Sequence, residues 1–170
     1  MLYLVANGPM PTTAAFASVT TGTAIKTMLQ LKPASGVDLI IAEWGISFDG
    51  YAAASPGKVE LIETDVAATV TASAAADITK YNNPDGPAAN TALVSLGTTA
   101  TGYTASGEGS ITAVRNLDGP QFLAPSTQSF VKQFPLGREP VIKAGQFGRI
   151  RVTFGAAVNC YCYILFGARG

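Results

Sequence analysis

Histidine is missing altogether from the 170 residues, and charged residues make up 13% of them, about half of the ~25% usual in a soluble domain. The first absence removes the commonest general acid–base and the commonest metal ligand. The second leaves too little charge to dress the surface of a lone domain, so part of that surface is expected to lie against other copies or partners. Lys+Arg and Asp+Glu number 11 each, for a formal net charge of zero. A balance of that kind offers no electrostatic attraction to nucleic acid or to an anionic membrane. Long hydrophobic runs are absent too. The 48% hydrophobic fraction is swollen by alanine, as in Ala52-Ala53-Ala54 and Ala74-Ala75-Ala76. No stretch approaches the ~18 apolar residues of a membrane span. The opening MLYLVANGPMP has no basic n-region and no long apolar core, and is expected not to be a signal peptide. Cysteine is scarce as well. Cys160 and Cys162 point the same way in a strand, but a bridge between such close neighbours would be strained. They read as buried free thiols in a reducing cytoplasm, with no further cysteine or histidine to complete a metal site.

The chain does hold a series of short alternating segments bounded by turn residues, the signature of strands. Residues 1–24 begin with the apolar stretch Leu2 to Ala6, then Asn7-Gly8-Pro9-Met10-Pro11. Two prolines and a glycine forbid a helix there, so this part reads as an extended arm or a first edge strand. From residue 25 to 170 the chain reads as one domain. Ile25 to Lys32 alternates, with Ile25, Leu29 and Leu31 on one face. Leu39 to Phe48 is the strongest strand. Strict alternation puts Ile40, Ala42, Trp44, Ile46 and Phe48 on one face and Leu39, Ile41, Glu43, Gly45 and Ser47 on the other. Val59 to Thr64, Ser110 to Asn116, Ser129 to Phe134, Val141-Ile142 and Arg149 to Phe154 obey the same rule. Val158 to Phe166 is apolar on both faces, which suits a central strand or one covered by a neighbouring subunit. Residues 65–80 stay open between a short helix capped by Asp65 and a strand favoured by the β-branched Thr69-Val70-Thr71. Residues 81–90 read as an exposed loop and 91–106 as a Thr/Gly-rich connection, with short strand character near Leu93 to Leu96. About eight strands at this turn spacing predict an all-β fold: an antiparallel β-sandwich, jelly-roll-like, with an extended N-terminal arm.

The residues that could carry chemistry are better explained by turns and faces. Gly102, Gly107 and Gly109 lack the helix and the lysine of a phosphate loop. Glu60 and Glu63 face opposite ways in a strand, so with Asp65 they make no obvious acid–base pair. Asp49-Gly50 and Asp85-Gly86 suit turns without a metal. Serine and threonine have no histidine to act as base, and no motif selects a lysine among Lys26, Lys32, Lys58, Lys80, Lys132 and Lys143. The composition therefore points away from an enzyme, with no cofactor and no metal expected. Arg138, Arg149 and Arg151 form the only local basic group. It reads either as a solvated strand face or as a subunit contact, since arginine is enriched at interfaces.

Four stretches carry a resemblance. They are LIIAEWGISFDG (Leu39 to Gly50), KVELIETDVAAT (Lys58 to Thr69), FVKQFPLGREPVI (Phe130 to Ile142) and the C-terminal RIRVTFGAAVNCYCYILF. Together they resemble small structural proteins of tailed bacteriophages, particularly those of actinobacterial hosts. The resemblance implies a virion protein of the capsid decoration or minor capsid kind, with a jelly-roll-like body. It also implies a homotrimer made in the host cytoplasm and seated on the capsid surface, with the major capsid protein as partner and neither nucleic acid nor membrane bound. An alternative within the virion is a tail or head-fibre protein that recognises a host glycan through Tyr51, Tyr81 and Tyr103. The expected assembly residues are Leu2, Tyr3, Leu4, Pro9 and Pro11 in the arm. In the C-terminal third they are Arg138, Arg149, Arg151, Tyr161 and Tyr163.

Overall fold

A computed structural model describes residues 1–49, 56–88, 90–122 and 128–169. In chain order the strands of the N-terminal half are β1 (Tyr3–Ala6), β2 (Val19–Thr20), β3 (Lys26–Leu31), β4 (Leu39–Asp49), β5 (Gly57–Thr64), β6 (Thr69–Ala72) and β7 (Thr79–Lys80). Those of the C-terminal half are β8 (Gly102–Gly107), β9 (Val114–Asp118), β10 (Gln121–Phe122), β11 (Ser129–Gln133), β12 (Val141–Ile142), β13 (Phe147–Thr153) and β14 (Asn159–Ala168). One helical turn, α1 (Asn90–Leu93), and a 3-10 turn at Ala75–Asp77 complete the elements.

The strands form two antiparallel sheets packed as a sandwich. The first runs β11-β4-β14-β1-β7, with β12 beside β4 and β2 beside β14. The second runs β10-β5-β13-β3-β8-β6, with β9 beside β5. The chain crosses between sheets at β3 to β4 and β4 to β5, and β14 returns to lie between β1 and β4. This order is compatible with a jelly roll. The shared core arises from alternation. Cys160, Cys162, Ile164 and Phe166 of β14 point inward, as do Ile150, Val152 and Phe154 near β13 and Val59 and Leu61 of β5, all buried. Phe48 meets Phe122 and Phe154 edge-on, with ring centroids 5.3 and 5.2 Å apart. One lateral edge of the sandwich is tied by Asp118. Its carboxylate accepts from Trp44 Nε1 at 3.1 Å and lies 3.2 Å from Lys132 Nζ. Lys132 also turns a charge inward on the edge strand β11, a device that discourages sheet-to-sheet aggregation.

The structure corrects four expectations. The first concerns the arm. Tyr3–Ala6 is neither a free arm nor an edge strand but an internal strand, paired to β14 on one side and β7 on the other. Asn7 prolongs the pairing: its Nδ2 donates to Cys160 O and its Oδ1 accepts from Cys162 N. Met10 N donates to the buried Asp77. The boundary at residue 24 therefore cuts through the sandwich. The second is the facing of β4. Ala42 is the extra residue of a β-bulge opposite Leu165/Phe166. The bulge flips the register, so that Leu39 and Ile41 join Trp44, Ile46 and Phe48 inside. The third is Ile25, which lies outside β3 and is exposed, while a second irregularity at Met28 resets that strand. The fourth is the Thr/Gly-rich connection: Leu93 ends α1, Val94 and Leu96 make only isolated bridges to Pro33 and Thr101, and the full strand is β8 further on. In the open stretch 65–80 the β-branched run is the strand β6, and Asp65 caps no helix.

Candidate functional site

The functional candidates divide between the outer faces of the two sheets. On the second sheet, register sets Gln30 and Ile62 beside Arg149, and Thr27 and Glu60 beside Arg151. Around Thr27, Gln30, Ile62 and Arg149 this outward face is closed by the chain itself. In β8 a bulge opposite Thr69/Thr71, with Thr104 at φ 52, bends the strand so that the next segment crosses over the sheet. A β-branched residue at positive φ is rare and costly. Gly102 just before it lets β6 approach, since a Cβ there would lie 2.3 Å from Thr71 O. Glu108 then lands over Thr27 and accepts from its N and its Oγ1, both at 2.6 Å. Arg149, with no solvent exposure, donates to Glu108 O at 3.1 Å, lies 3.4 Å from Glu108 Oε2 and donates to Val66 O. Burial lowers the pKa of its guanidinium and Glu108 opposes that shift. Gln30 is satisfied in the same way by Ala68 N, Ala68 O and Ala100 O. Asp65 fastens the rim, accepting from Thr112 N, Thr112 Oγ1 and Ala113 N.

Arg149 therefore cannot be a solvated or subunit-contacting residue as expected; it is an internal clamp. Arg151 pairs across the strands with Glu60 at 3.0 Å. Arg138 is exposed in the turn between β11 and β12, on the other sheet, so the three arginines are not one basic group. Glu63 is engaged by Arg115. Glu60, Glu63 and Asp65 thus each have a separate partner. Asp85-Gly86 is a turn, with Asp85 N on Asn83 Oδ1 and Gly86 N on Asn83 O. The Asp49-Gly50 turn is described only as far as Asp49.

The outer face of the first sheet is different. Counting outward positions from the register, β14 places Tyr161, Tyr163 and Leu165 on it, β1 Leu4 and Ala6, and β4 Ile40, Glu43, Gly45 and Ser47, of which Ala6, Gly45 and Leu165 are nonetheless buried. Val131 of β11 pairs with Gly45 and is 57% exposed. Gly45 makes a flat place in this row: a Cβ there would come within 2.6 Å of the Tyr163 ring, which lies across it. The Tyr163 hydroxyl donates to Glu43 Oε1. Burial raises the pKa of Tyr163, and the Glu43 hydrogen bond raises it further; burial also raises that of Tyr161. Phe16, from the loop after β1, meets Tyr161 edge-on at 4.7 Å. The structure thus brings together Leu2, Leu4, Tyr161 and Tyr163 of the expected assembly residues. Tyr3 departs from them, being buried on the inward side. Pro9 and Pro11 are exposed in the loop that carries Phe16.

Sequence reasoning misses Glu43, Gly45, Phe16 and Val131, which gain meaning only through register. Of the tyrosines expected to bind glycan, Tyr51 lies outside the described residues. Tyr81 is 59% exposed, and Tyr103 sits in β8 packed against the core rather than in a loop. Cys160 and Cys162 are free and buried. Burial, then the neighbouring Cys160 thiol, pushes the Cys162 thiol well above its ordinary range, which makes it a poor nucleophile. Among the described residues no three His, Cys, Asp or Glu side chains are grouped to hold a metal ion, and no helix is long and apolar enough to cross a membrane. No family model, curated protein or solved structure matches the chain.

Proposed function

We propose that this chain is a bacteriophage capsid decoration protein, a homo-oligomer on the outside of the head that stabilises the major capsid lattice by non-covalent contacts. The observation that carries the reading is the outer face of the first sheet. From Ile40 to Ser47 of β4, and on the strands to either side, its outward positions hold no lysine or arginine and one carboxylate, Glu43, already bonded to Tyr163. Asp49 and Arg169 stand only at the ends, one closing β4 and the other just past β14. An antiparallel sheet with one face in water ordinarily presents polar residues there. The low charge of the whole chain, the resemblance of its four stretches to phage structural proteins and the sandwich architecture support the same reading. So does the strand order, which is compatible with a jelly roll. The resemblance implies three copies per oligomer.

Co-sedimentation with purified empty heads of a phage whose genome encodes this chain tests it. The expected outcome is saturable binding in a fixed ratio to the major capsid protein, with a higher melting temperature of the decorated heads. Absence of binding to both expanded and unexpanded heads overturns it.

A further inference from the structure

We propose that Glu108 guards an open edge of the second sheet: its carboxylate stands where a strand would pair with β3, and keeps a strand of a second copy from adding there. β3 is an inner strand over only part of its length. Toward β13 it pairs from Lys26 to Leu31, but toward β8 it pairs only at Leu29 and Gln30. Continued in register, β8 would set Thr104, Ala105 and Ser106 against Met28, Thr27 and Lys26. It turns away at Thr104 instead, and its last residue, Gly107, pairs with Thr69 of β6. No other strand among the described residues takes its place beside β3. An open cavity of about 190 Å³, lined by Thr21 to Lys26 and by Ala105 to Glu108, lies along the gap.

A stretch of unpaired main chain is a template for the strand of another molecule. Here side chains meet the need. Glu108 Oε1 accepts from Thr27 N at 2.6 Å, in place of a strand's carbonyl, and Oε2 accepts from the Thr27 hydroxyl, also at 2.6 Å. Lys26 folds back along the same edge, its Nζ donating to Thr20 O at 3.1 Å. Glu108 is itself held, since Arg149 donates to its carbonyl at 3.1 Å and lies 3.4 Å from Oε2. Seating it there is costly. The chain must bend at Thr104, a β-branched residue at φ 52 whose Oγ1 is buried without a partner among the described residues. It must also turn at Gly109, at φ 73, where a Cβ would lie 2.6 Å from Ala67 O. A carboxylate suits the task because it only accepts: it satisfies the amide and repels the carbonyls of an incoming strand. The strand excluded is that of a second copy. Strand addition reads main chain more than side chains, and copies of a chain with zero net charge do not hold one another apart.

Glu108→Ala opens the edge. Asp65→Asn is the control, because it loosens the far end of the same segment, at Thr112 and Ala113, without touching β3. Sedimentation velocity is run on wild type and both variants from about 1 to 100 µM, with circular dichroism melts to verify folding. Hydrogen exchange read by mass spectrometry follows the amides of residues 26–28. Wild type and D65N are expected to share one assembly state, and E108A to associate beyond it at least ~10-fold more tightly. At low concentration the 26–28 amides of E108A should exchange faster than in wild type, and regain protection as it associates. A folded E108A that keeps the wild-type assembly state throughout overturns the proposal. So does equal association by D65N, or association of E108A with no protection regained at β3. Should E108A fail to fold, Glu108→Asp, which keeps the charge beside Arg149 but shortens the reach to Thr27, is judged by the same measures. Every readout is on the isolated chain, so the guard and the decoration reading, which binding to heads decides, fail separately.

Discussion

On the outside of the second sheet lie Thr27, Gln30 and Arg149, all fully withdrawn from water; on the outside of the first lie Leu4, Tyr161 and Tyr163, each still partly in it. The contrast runs against simple expectation, since the polar face is the buried one. Physical chemistry explains why. A buried polar face must have every donor and acceptor matched. The backbone of the crossing segments does most of that, with Val66 O, Ala68 N, Ala68 O and Ala100 O in fixed places, and leaves Arg149 Nε without a partner. An apolar face makes no such demand. It can be left to a surface that arrives later, because a neighbour needs only to fit and to exclude water. The fold therefore closes much of one side of the sandwich from within and leaves the aromatic strip of the other partly in water.

The strongest way to break the comparison is to remove the clamp. Arg149→Ala takes the guanidinium away from Glu108 O and Val66 O at a buried site, while the Glu108 carboxylate keeps Thr27, and is expected to cost about 3–5 kcal/mol. Urea unfolding followed by tryptophan fluorescence measures it, with Trp44 as the single reporter. A loss below about 1 kcal/mol, the ceiling for an exposed ion pair, would mean that the crossing segment holds without Arg149.

How much of this is legible in the sequence depends on range. Alternation places Ile150, Val152 and Phe154 inside correctly, because each lies in or beside a regular strand where period two holds. It fails at β4, where the bulge at Ala42 turns Leu39 and Ile41 inward; nothing in LIIAEW marks an extra residue. It puts Arg149 outward, which is true of the sheet, but cannot see residues 65–68 and 105–113 arriving to bury it. That burial rests on contacts such as Arg149 with Glu108 and Val66, 41 and 83 residues away. That Tyr161 and Tyr163 lie on a strand apolar on both faces is legible in β14 itself, which is a local signal. Leu2 to Ala6 reads as an arm because the prolines after it are conspicuous, whereas the pairing that makes it internal is supplied by the far end of the chain.

Acid sharpens the comparison on the closed side. The Thr112 hydroxyl, then the amides of Ala113 and Thr112, hold the Asp65 carboxyl down from 3.8 to about 2. A carboxyl with a folded pKa below its unfolded one stabilises fully above the unfolded value, and loses that contribution as pH falls through the folded one. Wild-type melting temperature should therefore fall between about pH 4 and about pH 2, and Asp65→Asn should flatten that part of the curve while lowering its neutral plateau. Curves that stay parallel would show that the rim is fastened by something other than the ionised carboxylate.

The smallest effect is expected on the open side. Tyr163→Phe removes the hydrogen bond to Glu43 from a partly wet surface, where water can take the place of the lost hydroxyl. The loss of monomer stability should be only about 0.5–1.5 kcal/mol. The same change should show in alkali. A phenol with a raised folded pKa stabilises fully below its unfolded value, near about 10, and loses that contribution as pH rises through the folded one. The variant should thus lose part of the alkaline fall in stability and one late-titrating tyrosine in an absorbance titration. The informative number is the ratio of this loss to that of Arg149→Ala. If Tyr163→Phe proved as damaging as breaking the clamp, the first sheet's outer face would be as integral to the monomer as the second's, and the division into a closed side and an open one would fail.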